Sequence, residues 1–112
     1  MATLEAKYFQ TPDETLSFEK VSLEQVKVGG VSAWRCVFEP GWRYTEHVEP
    51  SRCPAPHVAY IESGSLGVAM NDGSELVVGP GAIVVIDPDH DAWTVGDEPC
   101  VFIDFGESVP LS

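Results

Sequence analysis

The sequence predicts an all-β fold, built as a single-domain sandwich or barrel. Turn signals rich in Gly, Pro, Asn and Asp recur along the chain at short and fairly even intervals. The runs between them are short and β-rich, and no long helical periodicity competes with them. A chain of 112 residues suffices for one domain with a substantial core. We assign residues 1–20 to an N-terminal lead-in segment and residues 21–112 to the barrel domain.

Eight strands are predicted between the turns. In chain order they run from Glu24 to Val28, Val31 to Phe38, Val58 to Ile61, Leu66 to Met70, Glu75 to Val78, Ala82 to Ile86, Ala92 to Val95 and Cys100 to Phe105. Gly29-Gly30 joins the first pair with two residues that tolerate positive φ, and Asp72-Gly73 is favoured in tight primed turns, so both predict hairpins. The run from Ala82 to Ile86 is apolar on both faces. It predicts a covering layer on each side, either the facing sheet or a partner subunit.

Composition and charge exclude several classes of function. The formal net charge is -12, and the chain has six Lys and Arg residues in total. Sequence-independent binding to nucleic acid needs basic residues that neutralise phosphates, and the same acidity repels anionic lipid surfaces. No apolar run approaches the roughly 18 residues of a membrane span. We therefore expect neither nucleic acid nor a membrane as a partner.

The cysteines and the N-terminus indicate a cytoplasmic protein. Cys36, Cys53 and Cys100 are an odd number of thiols without a CxxC pair, which is typical of free cysteines in a reducing compartment. The N-terminal segment is acidic and polar, whereas a signal peptide begins with a basic stretch followed by an apolar one.

All three histidines lie in two short stretches of the chain. The first reads GWRYTEHVEPSRCPAPHVAYIESGSLG from Gly41, and the second reads GPGAIVVIDPDHDAW from Gly79. In an extended segment residues i and i+2 face the same side, so His47 and Glu49 are predicted to point inward together and to bind one ion. By the same alternation, His57 shares a face with Ala59 on the next strand.

These stretches resemble the two motifs of the cupin superfamily. The first family motif reads Gly, five residues, His-x-His, a short gap, Glu, six residues and Gly. Gly41 is followed after five residues by His47-Val48-Glu49, and His57 is followed after six residues by Gly64. Pro80 and Gly81 occupy the region of the second motif. The resemblance covers roughly residues 30 to 105.

The order of the ligands differs from the family pattern. Glu49 takes the place of the second histidine, and His57 takes the place of the family glutamate, with seven residues between them. His90 lies two residues before the position of the last family histidine, which Ala92 occupies, and it faces the same side if the segment is extended.

The resemblance implies a single-domain cupin/jelly-roll β-barrel that forms a homodimer and holds a divalent transition metal. The expected metal is Zn, Fe, Mn or Ni, since imidazole and carboxylate ligands suit these ions. The expected ligands are His47, Glu49, His57 and His90. The implied function is oxygenase-type or lyase-type chemistry on a small organic molecule. Two alternatives stay open: a non-catalytic small-ligand-binding or sensing cupin, and a metal-free enzyme with His47 or His57 as general base.

Three further residues are candidates for the same site. Arg43 shares the predicted inward face and is a candidate for binding a substrate carboxylate, although an outward salt bridge is an equal alternative. Trp93 is predicted to narrow the pocket, and its alternative role is packing. Cys53 is either a soft ligand or redox-sensitive group, or a small buried apolar side chain.

Overall fold

The computed structural model describes residues 4–105, so residues 1–3 of the predicted lead-in and 106–112 of the predicted barrel domain lie outside the described residues. Within that range the chain forms nine strands and one short helix, α1. The strands are β1 (Glu14–Phe18), β2 (Val21–Val28), β3 (Val31–Phe38), β4 (His57–Ser63), β5 (Ser65–Met70), β6 (Glu75–Val78), β7 (Ile83–Ile86), β8 (His90–Val95) and β9 (Cys100–Asp104), and α1 spans Tyr44–His47 between β3 and β4.

The strands form two antiparallel sheets around a shared core. The larger sheet has the order β1-β2-β3-β9-β4-β7, and the smaller one has the order β6-β5-β8. Ile61 and Phe102 from the larger sheet and Leu66 and Val68 from the smaller one belong to a single buried apolar cluster. Packing of two inner sheet faces explains this arrangement, because each strand buries alternate side chains. The all-β prediction is confirmed.

Each of the eight predicted strands is present, with its ends displaced by three residues at most. Strand β1 is additional. It lies inside the segment predicted as a lead-in and pairs with β2 from Glu14↔Gln25 to Phe18↔Val21. Its side chains are mostly exposed, so it lacks the apolar alternation that identifies a half-buried strand.

The two predicted hairpins form, although one turn differs from the prediction. Gly29 and Gly30 both have positive φ, 57° and 81°, as a primed two-residue turn requires. In the β5–β6 hairpin, of the pair Asp72-Gly73 only Gly73 has positive φ, at 91°. Instead, the Met70 N–H donates to the Ser74 carbonyl and closes a three-residue loop. The two-residue primed turn predicted for Asp72-Gly73 was therefore wrong.

The segment that follows β3 is helical where extended backbone was predicted. Residues Tyr44–His47 form the single turn α1, with backbone bonds from His47 N to Arg43 O and from Val48 N to Tyr44 O. A one-turn helix gives almost no periodic signal and is marginal by itself. Asp91 on β8 fixes this turn, because its carboxylate accepts a bond from the Thr45 N–H at 3.2 Å.

Strand β7 is covered on one face within the described chain. Val84 and Ile86 are buried, whereas Ile83 and Val85 are 73% and 67% exposed. The facing sheet therefore supplies one of the two layers that the apolar run predicted. Among residues 4–105, no helix is long and apolar enough to cross a membrane.

Candidate metal centre

Three side chains with metal-ligating atoms meet in the wall of the cavity between the sheets. Cys53, His57 and His90 each place one such atom within 4.8 Å of the others. Cys53 Sγ lies 3.5 Å from His57 Nε2, and the two imidazole rings meet edge to face with centroids 5.1 Å apart. Cys53 and His90 are buried, and His57 is half-buried. This combination of nitrogen and sulfur donors is one that proteins use for zinc.

Regular structure positions the two histidines. His57 is the first residue of β4 and His90 is the first residue of β8. Each is followed two positions later by an alanine, Ala59 or Ala92, that lines the same cavity. The predicted inward direction of His57 and His90 is thus found.

The cysteine is held in a loop by bonds to the backbone of β8. Cys53 N donates to His90 O, and Asp89 N donates to Cys53 O, both at 2.8 Å. Asp89 adopts a positive φ of 70° at this bridge. A third bond, from Arg52 Nη1 to Ala69 O at 2.7 Å, ties the loop to β5. These contacts fix the thiol beside His90 although the two residues are distant in sequence.

The carboxylate of Asp104 fixes the tautomer of His57. His57 Nδ1 lies 2.7 Å from Asp104 Oδ2, and a carboxylate is an acceptor, so Nδ1 carries the proton. Nε2 then faces Cys53. Burial alone would lower the pKa of His57, but the hydrogen bond and charge of Asp104, with a contribution from Cys53, raise this pKa to about 9. A metal at Nε2 must therefore displace a proton at neutral pH.

A backbone carbonyl fixes the tautomer of His90 in the same way. His90 Nδ1 donates to Asp87 O at 2.8 Å, which leaves Nε2 as the nitrogen with a lone pair in the neutral ring. Burial, reinforced by the charge of His57, lowers the pKa of His90. His90 is consequently neutral at pH 7 and ready to act as a ligand.

The donor set fits a divalent ion with tetrahedral preference. Ligand atoms around a zinc ion with Zn–N and Zn–S bonds of ordinary length stand roughly 3.3–3.8 Å apart. The 3.5 Å between Cys53 Sγ and His57 Nε2 falls in this range. Three protein donors leave a fourth position free for substrate or water.

The cluster lies in the wall of a cavity of about 500 Å³ between the sheets. Aromatic side chains make up much of the wall, namely Phe18, Trp34, Phe38, Trp42, Tyr44 and Phe102. Phe38 stacks on Trp42 with centroids 4.1 Å apart and contacts Phe102 at 5.1 Å. The candidate metal centre therefore opens into a chamber with a largely apolar wall.

No protein-family model matches the chain, and no curated protein matches it in sequence. Solved structures do match its fold. An RmlC-like cupin from Shewanella frigidimarina aligns with a TM-score of 0.67 and 15% identity, over 97% of this chain and 95% of that one. The polyketide cyclase RemF from Streptomyces resistomycificus aligns with a TM-score of 0.68 and 13% identity, over 98% and 83% of the two chains.

A third neighbour is a sugar phosphate isomerase of the cupin superfamily from Silicibacter pomeroyi. Its TM-score is 0.60 at 16% identity, and the alignment covers 80% of this chain and 60% of that one. The fold is that of a cupin. The resemblance inferred from the two histidine stretches is confirmed at the level of fold.

The structure brings together two of the four ligands expected from the sequence. His57 and His90 belong to the cluster, whereas His47 and Glu49 do not. His47 lines the cavity from the last position of α1, and its Nδ1 lies 3.1 Å from both the N and the O of Arg43. Glu49 is exposed. The strand alternation expected to pair His47 with Glu49 was wrong because the chain forms a helical turn there.

Arg43 and Trp93 lie outside the lining of the cavity. Trp93 is on the face of β8 opposite His90, and the Arg43 guanidinium stacks over its ring at 4.7 Å. Arg43 Nε also bonds Asp91 Oδ2 at 2.7 Å. Arg43 is thus engaged by Asp91 and Trp93. Of the two alternatives for Arg43, the salt bridge outside the cavity is the one observed.

Two residues of the site lie outside the ligand set expected from the sequence. Cys53 is only an alternative ligand in the sequence, and its backbone bridge to His90 places it in the cluster. Asp104 was overlooked, although the alternation of Cys100, Phe102 and Asp104 on β9 places a carboxylate on the buried face. An acidic residue at a buried strand position is the signal that identifies it.

Proposed function

We propose that this cupin is a metal-dependent enzyme that catalyses a lyase-type reaction on a small organic molecule, with Zn²⁺ held by Cys53, His57 and His90. One observation carries the proposal. Both histidines commit Nδ1 to an oxygen acceptor, so both Nε2 atoms are left to share one ion beside the thiol. Among Zn, Fe, Mn and Ni, the thiolate favours zinc.

The geometry favours an enzyme over the other two candidate functions. Three protein ligands with an open fourth position are typical of catalytic zinc, whereas structural zinc sites are closed by four. A metal-free enzyme with His57 as general base is disfavoured, because a pKa of about 9 keeps its ring protonated at neutral pH. The structural neighbours named a polyketide cyclase and a sugar phosphate isomerase are consistent with a small-molecule substrate.

Each residue of the site has a defined task in this proposal. When bound, Zn²⁺ supplies Lewis acidity that polarises an oxygen of the substrate. Asp104 holds the His57 ring in its ligand orientation. Tyr44 lines the cavity, and burial followed by the proximity of Cys53 raises its pKa, so its phenol stays protonated. Tyr44 is therefore the proposed proton donor to the oxygen where negative charge develops.

We also propose that the cupin is a cytoplasmic homodimer. Cys36, Cys53 and Cys100 are all free, which suits a reducing compartment. Strand β7 ends the larger sheet and exposes Ile83 and Val85. Exposed large apolar side chains on an edge strand are typical of a surface that a second copy covers.

Elemental analysis of protein purified without a histidine tag tests the metal assignment. We expect about one zinc per chain in the native protein, and its loss in Cys53→Ser and His57→Ala. Glu49→Ala is the matched control, because Glu49 is exposed and outside the cluster. Native protein without metal, whose melting temperature does not rise with added Zn²⁺, would contradict the proposal, since a ligand of the folded state stabilises it.

Assays with a panel of diketones, catechols and thiols test the reaction class. Turnover by the zinc protein without oxygen consumption, abolished by a chelator and restored by Zn²⁺, is the expected result. Oxygen uptake by an iron-loaded protein would replace the lyase assignment with an oxygenase. Tyr44→Phe should lower kcat while leaving the metal content unchanged, because the phenol is not among the proposed ligands.

A further inference from the structure

The ionisable groups in the cavity wall restrict the charge of the ligand that the cavity can bind. Among the described residues that line it, there is neither Lys nor Arg. Arg43 is engaged by Asp91 and Trp93. The ionisable groups in the wall include the carboxylates of Glu19 and Asp104. A carboxylate or phosphate on a ligand would therefore find neither a guanidinium nor an ammonium group in the described wall, and the charge of the His57 ring is already paired with Asp104. Burial of such an anion in an apolar environment is costly.

Large apolar side chains also stand at the exposed part of the cavity wall. Phe18, at the end of β1, and Val48, directly after α1, line the cavity and are 61% and 53% exposed. The interior continues this character with the stacked rings of Phe38 and Trp42. Large apolar side chains that stand open to water around a concave site are typical of a binding site for an apolar molecule.

Three polar side chains in the wall of this chamber, Cys53, His57 and His90, meet in one cluster. We propose that the cavity binds an uncharged, largely aromatic molecule whose single polar end points to this cluster, and that it rejects phosphorylated and carboxylated compounds. The orientation of the polar end rests on the proposed function. The preference for an uncharged apolar ligand depends on the wall alone. Phosphorylated sugars, the substrates implied by the name of one structural neighbour, are thus poor ligands for this chain.

Two fluorescent probes that differ by one charged group test the preference. N-phenyl-1-naphthylamine is neutral, and 1-anilinonaphthalene-8-sulfonate is the same ring system with a sulfonate. We expect the neutral probe to bind at least about tenfold more tightly, because the sulfonate would be buried without a partner. Glucose 6-phosphate should fail to displace it. Equal or tighter binding of the sulfonate, or displacement by the sugar phosphate, would overturn the proposal.

A pair of matched variants shows whether the probe occupies the cavity. Val21 is 7% exposed and lines the cavity, whereas Val31 is 41% exposed and lies outside its lining. Val21→Phe should reduce binding of the neutral probe about tenfold by filling the space, and Val31→Phe should leave it unchanged. Unfolding of Val21→Phe would be seen by circular dichroism. In that case the comparison of the two probes on native protein decides alone.

Repeating the titration on chelator-treated protein separates this inference from the proposed function. Binding of the neutral probe that persists without metal supports the cavity preference even if no metal site exists. A protein that binds Zn²⁺ at Cys53, His57 and His90 but prefers the sulfonate would retain the metal centre and lose the inference.

Discussion

Asp104 contributes to the site through the bond that its carboxylate accepts from the His57 Nδ1–H at 2.7 Å. Its own position follows from strand pairing, because β9 aligns Asp104 with Ala59 on β4. Carboxylates in this position orient a ligating imidazole and raise its basicity. The charge of Asp104, and not only its hydrogen bond, therefore supports metal binding.

Asp104→Asn is expected to weaken Zn²⁺ binding about 10- to 100-fold while the fold persists. The amide can still accept a bond from the ring, but it carries no charge. Competition with a chromogenic chelator measures the affinity. Asp97→Asn, at an exposed turn position, is the control and should bind zinc as the native protein does. An unchanged affinity in Asp104→Asn would remove Asp104 from the site.

Gly67 on β5 is required for a close approach rather than for a special backbone angle. A Cβ at this position would overlap the Trp93 ring. The same ring carries the Arg43 guanidinium on its face. Gly67→Ala should therefore cost about 1–3 kcal/mol of unfolding free energy through overpacking.

Gly79→Ala provides the comparison for this substitution. A Cβ at Gly79 meets its nearest atom, Ser65 Oγ, at an ordinary 3.6 Å. Urea denaturation of both variants gives the two free energies. Equal stabilities would show that Trp93 moves aside without cost.

At the scale of elements, Asp91 attaches α1 to β8. Its carboxylate accepts bonds from Arg43 Nε at 2.7 Å, from the Thr45 N–H at 3.2 Å and from the Thr45 hydroxyl at 3.1 Å. Burial alone would raise the pKa of Asp91, but the bonds from Thr45 and Arg43, together with the charge of Arg43, hold this pKa below its usual value. The helical turn that carries His47 depends on this contact.

Asp91→Ala is predicted to lower the unfolding free energy by about 1–3 kcal/mol, since several partly buried donors lose their acceptor. Asp97→Ala, at an exposed turn position, should change it by less than about 0.5 kcal/mol. Chemical denaturation measures both. A loss no larger than that of the control would mean that α1 is held by other contacts.

The strands were predictable because their signal is local. Alternation along β9 and the paired glycines at Gly29-Gly30 are readable from a few neighbouring residues. The helix α1 was not, because its stability comes from Asp91 on a distant strand. The cluster itself was predictable in part. The inward directions of His57 and His90 follow from strand alternation, whereas Cys53 reaches the site through a backbone bridge to β8 that no sequence motif encodes.

At the scale of the whole molecule, the edge strands β6 and β7 of the two sheets flank a surface groove, here called the seam. Leu76 and Val85 are 55% and 67% exposed, and both line a groove of about 220 Å³ there. Tyr60, opposite Ile83 on the neighbouring strand, extends the apolar face and is 42% exposed. A two-fold symmetric contact would cover this surface on both copies at once.

Val85→Asp is expected to convert the proposed dimer into a monomer, because it places a charge in the apolar contact of a protein whose net charge is already -12. Light scattering coupled to size-exclusion chromatography gives the mass. Asp97→Lys, a charge change at an exposed turn away from the seam, should remain a dimer. Native protein that elutes as a monomer at micromolar concentration would contradict the homodimer.

The cobalt spectrum tests the proposed ligand set most directly. Co²⁺ added to metal-free protein should give a near-ultraviolet absorption from thiolate-to-cobalt charge transfer together with the visible bands of a tetrahedral ion. Cys53→Ser should abolish the near-ultraviolet absorption, and Glu49→Ala should retain the native spectrum, since Glu49 is outside the cluster. A native protein without this absorption, or an absorption that survives Cys53→Ser or disappears in Glu49→Ala, would contradict a centre built from Cys53, His57 and His90.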